Sequence, residues 1–259
     1  MNDHLYIITG ASRGMGLAIA QQLLVPGNFL LCISRQVNES LAANARAAGS
    51  GLEQWPLDLD HTVEAAAMLR QWLASRKPGS FQSATLINNA AVLPKIAPLS
   101  EADAAELAKA LRVGLEAPMQ LTSAFLSVTQ TWQTPVGHAI PRKLLNISSG
   151  NGRRPMASQA IYSATKAGMD HFTRCLALEE ALKPSGAKVC SLAPGVIDTD
   201  MQTHLRASDA ASFPDHGRFL DMKAQGQLST PADAAARLLA YLWHPAFGNN
   251  PVADIRDTL

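Results

Sequence analysis

The chain has 259 residues, 47% of them hydrophobic, and a formal net charge of +1, enough apolar content for a sizeable core and no field to steer it to nucleic acid or an acidic membrane. No apolar run approaches the ~20 residues of a membrane span, and strand-like sequence by Leu5 leaves no room for a signal peptide, so a soluble cytoplasmic protein is expected. Cys32, Cys175 and Cys190 lie among apolar neighbours, are odd in number and lack metal-ligand spacing, so they read as buried free thiols in a reducing compartment.

Residues 5–9 read as a short apolar strand, followed at once by Gly10, Gly14 and Gly16 and a helix over 17–24. Strand, glycine turn and helix make a phosphate cradle: the glycines permit close backbone approach, and the helix N-terminus offers free amides and a favourable dipole to a pyrophosphate. A glycine turn alone is weak evidence, since any tight strand-to-helix turn wants glycine. The second strand, 29–33, ends in Ser34 and Arg35 rather than in an acidic residue. A carboxylate there would bond the ribose 2'-hydroxyl of NAD, whereas an arginine can pair with the 2'-phosphate of NADP. The plain alternative is that Arg35 is a solvated surface group.

An alanine-rich helix over 38–48, a strand over 52–57, Asp58 and an amphipathic helix over 62–76 follow, with Lys77, Pro78 and Gly79 ending the last. A fourth strand over 85–88 leads to Asn89 and Ala90, then to a proline-punctuated loop over 93–98. Beyond it lies a long helical region over 101–130, with a break expected near 114–118.

The stretch 144–168, LLNISSGNGRRPMASQAIYSATKAG, carries the chemistry. Residues 144–147 form a buried strand with Ser148 and Ser149 at its C-terminal end, where open parallel sheets put their ligands. Gly150, Gly152 and Pro155 make a loop, and from Ser158 the chain turns helical, so that Tyr162 and Lys166, four apart, share one face. A free phenol titrates near ~10 and a free lysine near ~10.4. An ammonium beside the phenol favours phenolate and lowers the tyrosine pKa, making Tyr162 a general acid and base. Ser149 can hydrogen-bond a developing alkoxide. Tyr and Lys at this spacing are often mere surface neighbours; the serine and the glycine turn favour the chemical reading.

Residues 188–193 form the sixth strand, with Pro194, Gly195, Val196, Ile197, Asp198 and Thr199 leaving its end. Residues 199–229 scatter apolar side chains without a regular period and read as a lid and substrate-binding segment. A helix over 231–241 is capped by Thr230 with Pro231 in its first turn.

With TGASRGMG at 9–16, NNA at 88–90, Ser149, Tyr162, Lys166 and PGVIDT at 194–199, in that order and spacing, the sequence resembles the short-chain dehydrogenase/reductase family over nearly its whole length. The gap to Tyr162 picks Ser149 over Ser148 as the catalytic serine. The resemblance implies that Ser149, Tyr162 and Lys166 are catalytic, with Lys166 also holding the cofactor ribose. It implies cofactor contacts at Gly10, Ser12, Arg13, Gly14, Met15, Gly16, Ser34, Arg35, Asn89, Ala90, Tyr162, Lys166, Pro194 and Gly195, with Arg13 a second partner for the 2'-phosphate. Asp58 is placed near the adenine ring, a role compatible with its plain reading as a cap or turn aspartate. The backbone near Ile197 and the hydroxyl of Thr199 would bind the nicotinamide carboxamide.

Two departures stand out. Ala91 takes a position usually given to glycine, and Gly114 replaces the asparagine that usually helps hold a water against the catalytic lysine, leaving three recognisable members of the proton relay. The segment after Thr199 looks most like the branch holding sepiapterin and benzil reductases, and the tail VADIRD is similar to a sepiapterin reductase segment whose aspartate anchors the pterin. Asp254 is therefore a candidate substrate anchor, its plain alternative being a solvent-facing tail residue.

Alternating strands and helices imply one α/β domain over 1–259, a Rossmann-type doubly wound parallel sheet with helices on both faces. The expected activity is NADPH-dependent reduction of a ketone or diketone, with Ser149, Tyr162 and the candidate anchor Asp254 toward the substrate, no metal, and self-association as a dimer or tetramer. Two alternatives stay open: an NADP(H)-binding regulator with little turnover, and alcohol oxidation with NADP.

Overall fold

The computed structural model describes residues 4–77 and 79–258. Strands β1 (His4–Thr9), β2 (Asn28–Ser34), β3 (Gly51–Pro56), β4 (Ser83–Asn88), β5 (Arg142–Ile147), β6 (Lys188–Ala193) and β7 (Val252–Asp254) form one sheet in the order β3-β2-β1-β4-β5-β6-β7. Every pairing in it is parallel. Side chains alternate across the strands, and both faces are apolar, as a sheet covered on both sides requires. Ile8, Leu30, Cys32 and Leu192 face α1 (Gly14–Leu23) and α9 (Pro231–Trp243), while Ile7, Leu31, Leu86 and Val189 face α3 (Thr62–Ala74), α5 (Ala117–Thr129) and α6 (Ala160–Ala181). This is the doubly wound Rossmann-type architecture expected from the alternation of elements. Between α1 and α3, α2 (Glu39–Ala48) follows β2, with Asn38 accepting from the amide of Leu41 as its N-cap.

Several boundaries shift. Helix α1 begins at Gly14, inside the glycine turn, and α3 ends at Ala74; Pro78, expected to help end α3, lies outside the described residues. The break expected within 114–118 is a widened turn rather than an interruption: α4 (Ala104–Leu111) runs into a π-helical turn, Arg112–Glu116, which runs into α5. Pro118 has no N–H and its ring would collide with the carbonyl of Gly114, and a widened turn relieves both problems. The segment after Thr199 holds two short helices, α7 (Asp200–Arg206) and α8 (His216–Ala224). They are held down by a small separate core in which Phe213 and Phe219 stack with ring centres 5.5 Å apart, against Ile96 and Leu205.

The tail contributes β7, a short strand that the sequence pattern did not disclose. Asp254 at its end is buried, not solvent-facing. Cys175 corrects another expectation: it is exposed, while Cys32 and Cys190 are buried. Apolar Leu176 and Ala177 follow it in sequence, but on a helix adjacent side chains point in different directions. No helix among the described residues is long and apolar enough to cross a membrane.

Candidate active site

The C-terminal ends of β1, β4, β5 and β6 open into a cleft of about 1000 Å³ lined by the expected catalytic, cofactor and substrate residues, Arg35 and Asp254 among them. The sheet order reverses between β1 and β4, and the crevice at such a switch point is where doubly wound sheets take their ligands.

The glycine turn is built for close approach. Gly10 and Gly14 adopt φ of +69° and +57°, and a Cβ on Gly16 would stand 2.2 Å from the carbonyl oxygen of Gly10. Asn89 braces this turn: its Nδ2 donates to the carbonyls of Thr9 (2.9 Å) and Gly10 (3.2 Å), while Thr9 Oγ1 accepts from the amides of Asn89 and Ala90. The Asn89 amide thus serves the turn itself. No side chain among the described residues caps α1 and its first turn holds no acidic residue, leaving amides free for an anion. The open cradle and uncapped helix fit a dinucleotide pyrophosphate. Ala91 is not among the positive-φ residues, so alanine there carries no backbone strain.

Arg35 is exposed at the cleft edge and has no hydrogen-bond or ion-pair partner among the described residues. Arg13 is exposed too, but pairs with Asp200 at 2.6 Å, across from the turn on α7. Ser34 donates to the carbonyl of Gln36, and Asp58 forms a turn by accepting from the amide of Asp60 while Lys109 approaches its carboxylate at 3.6 Å. On the opposite wall Pro194, Gly195, Ile197 and Thr199 line the cleft as the chain leaves β6.

Ser149, Tyr162 and Lys166 converge. Tyr162 and Lys166 are both buried in α6, and the Lys166 ammonium lies 5.6 Å from the centre of the Tyr162 ring. Lys166 Nζ donates to the carbonyl of Ile147 at 2.7 Å, which ties the helix to the end of β5. The Ser149 hydroxyl lies close enough to the Tyr162 phenol to act on its titration, and it accepts from the amide of Asn151. Ser148 Oγ, by contrast, is buried without a partner among the described residues.

Burial governs both titrating groups. It pushes the Tyr162 phenol up from its ordinary value, opposed by the Ser149 hydroxyl. It pulls the Lys166 ammonium down to about 8, opposed by the charge of Asp170. The expected lowering of the tyrosine is therefore corrected: desolvation outweighs the opposing effect of Ser149, and the phenol keeps its proton at neutral pH. A protonated phenol is an acid ready to donate.

Gly114 is buried, and a Cβ there would meet the Thr165 side chain at 3.3 Å. The space an asparagine would need is filled by Thr165, whose hydroxyl donates to the carbonyl of Tyr162. Asp254 does line the cleft, but Arg256 holds both of its carboxylate oxygens, at 2.7 and 2.6 Å, and also donates its backbone amide. Sequence reasoning missed Arg256, and also Gln159 and Gln202, cleft-lining residues each with a buried amide atom lacking a partner among the described residues. Gln159 precedes Tyr162 by three positions, a spacing that helix periodicity makes significant once the start of α6 is known; no pattern marks Gln202.

Residues 4–210 match the short chain dehydrogenase family model. The chain belongs to that family, whose members are oxidoreductases using a nicotinamide dinucleotide. Among characterised relatives it is 35% identical to the benzil reductase ((S)-benzoin forming) of Bacillus cereus, over 96% of this chain and 98% of that one. It is 31% identical to the sepiapterin reductase of Meriones unguiculatus, over 97% and 95% of the two chains. Among solved structures, that of the KRED1-Pglu enzyme superimposes with a TM-score of 0.79 at 25% identity, covering 96% of this chain and 99% of that one.

Proposed function

We propose that this protein is an NADPH-dependent reductase of ketone or diketone carbonyls. The observation carrying this reading is the meeting of Ser149, Tyr162 and Lys166 in one cleft with the open glycine turn and the unpartnered Arg35. Arg35, joined by Arg13 when it leaves Asp200, would hold the 2'-phosphate, and Gly10, Ser12, Gly14, Met15 and Gly16 the pyrophosphate. Reduced nicotinamide supplies the hydride. Tyr162, whose proton burial holds more firmly, gives that proton to the carbonyl oxygen, and Ser149 orients that oxygen and stabilises its developing charge. Lys166 supports the phenol electrostatically and is placed to hold the ribose.

Of the substrates suggested by the relatives, a diketone suits this cleft better than a pterin. A carboxylate offers about four acceptor positions, and Arg256 takes three on Asp254, leaving little for the N–H groups of a pterin head. Helices α7 and α8 act as the lid over this end, and Met119, Leu178 and Leu182, exposed on α5 and at the end of α6, form the surface for self-association.

Cofactor consumption tests the reading. NADPH oxidation is expected with benzil-type diketones and far less with NADH. Tight NADPH binding without turnover on diketones, simple ketones or pterin ketones would favour a regulator, and turnover only with NADP and alcohols would favour oxidation.

A further inference from the structure

Asp170 lies one helical turn beyond Lys166 on α6, is 1% exposed, and has no part in the chemistry proposed above. A carboxylate so deep must be paired. Its Oδ1 accepts from Ser191 Oγ on β6 at 2.6 Å, and its Oδ2 accepts from Arg153 Nε at 3.1 Å. Arg153 follows Ser149 by four residues, and it also donates to the carbonyl of Ala253 on β7 at 2.9 Å. Between them Gly152 allows the loop to lie directly on the helix, for a Cβ there would stand 3.0 Å from both Asp170 Oδ2 and the carbonyl of Lys166. One carboxylate therefore joins the loop carrying Ser149 to the helix carrying Tyr162 and Lys166.

We propose that Asp170 is a positioning residue that divides its negative charge between Arg153 and Lys166, so that docking of the Ser149 loop sets the charge state of the lysine. This rests on the reading that a protonated Lys166 supports Tyr162. The charged and titratable groups around the cluster are few. Tyr162 and Lys166 stand on the same helix, Arg153 on the loop, Cys190 on β6, and Asp254 at the end of β7, where it acts on Arg153. On the π-turn and α4, which pack against α6, Arg112, Glu116 and Lys109 are engaged by Asp60, Thr62 and Asp58.

The arrangement predicts opposite signs for two substitutions. Asp170→Asn removes the anion, so Lys166 gives up its proton at lower pH. Arg153→Gln removes the competing cation and leaves the carboxylate to Lys166, which then holds its proton to higher pH. A merely structural clamp has no reason to reverse sign.

The test is an NMR titration of the Lys166 side chain in the full chain saturated with NADP, its signal assigned by its loss in Lys166→Met. The expected result is a shift of about one pH unit downward in Asp170→Asn and a clear upward shift in Arg153→Gln, with the alkaline limb of turnover moving in the same directions. Equal titrations in all three proteins, or shifts of the same sign, overturn the proposal. If Asp170→Asn does not fold, Arg153→Gln decides alone, since no upward shift means no shared charge. Because the titration needs no turnover, failure of the reductase reading would show separately, as absent diketone reduction by the parent.

Discussion

The ammonium of Lys166 stands 5.6 Å from the centre of the Tyr162 ring while its hydrogen bond goes to the carbonyl of Ile147, so a fully buried cation spans the gap between catalytic helix and strand end. Its burial has a thermodynamic signature. In the folded protein Lys166 titrates at about 8, against ~10.4 for a free lysine. Between those values the unfolded chain binds more protons, so the stability owed to this residue rises with pH across that window; below it, the folded protein bears the full cost of a buried charge. Lys166→Met removes the cost. In paired denaturation series its stability advantage relative to the parent should shrink by roughly 2–3 kcal/mol between about pH 7.5 and about pH 10. A constant difference contradicts the burial of a charged amine.

Arg35 and Arg13 divide the cofactor choice. Arg35 has no partner among the described residues, whereas Arg13 must leave Asp200 first, at an exposed pair worth no more than about 1 kcal/mol. Arg35→Ala should raise the KM for NADPH by about tenfold or more and leave that for NADH nearly unchanged, since a charge-assisted contact to phosphate is worth about 1.5–3 kcal/mol. Steady-state kinetics with both cofactors reads this directly, and equal losses with both would remove Arg35 from the 2'-phosphate.

At Gly114, restoring the usual asparagine should do harm. Its Cβ would press on Thr165 at 3.3 Å, and overpacking of this kind costs about 1–3 kcal/mol. Gly114→Asn is expected to lower the denaturation midpoint and slow turnover. A severalfold faster variant of undiminished stability would show that the relay has not adapted to glycine.

Arg256→Ala frees the Asp254 carboxylate, which lies in the cleft wall. Pterin binding, followed by quenching of the ligand's own fluorescence in the presence of NADP, should tighten by about tenfold, the scale of one charge-assisted hydrogen bond. Adding Asp254→Asn should abolish the gain. Unchanged binding would mean that Asp254 is not an available anchor even when released.

Much of this site is legible in the sequence because its signals are local. The glycine turn reads from three glycines after an apolar run, and Tyr162 and Lys166 read from a spacing of four on a helix that starts at a loop. What was hidden depends on distant partners. Arg13 meets Asp200 across 187 positions, and Asp170 meets Arg153 only after the loop folds back on α6. A strand of three residues has no period to detect, so β7 and the burial of Asp254 were invisible. The sign of the Tyr162 shift was missed because spacing discloses a neighbouring charge but not the loss of solvent. Cys175 illustrates the same limit, as sequence neighbours do not tell which way a helical side chain faces.

The account depends most on Tyr162 as the acid, and Tyr162→Phe tests it with little change in volume. Single-turnover oxidation of bound NADPH by a diketone should slow by about 10²–10⁴-fold, while the Kd for NADPH stays near that of the parent. A variant that reduces the diketone within a few fold of the parent rate, with cofactor bound equally well, would contradict it.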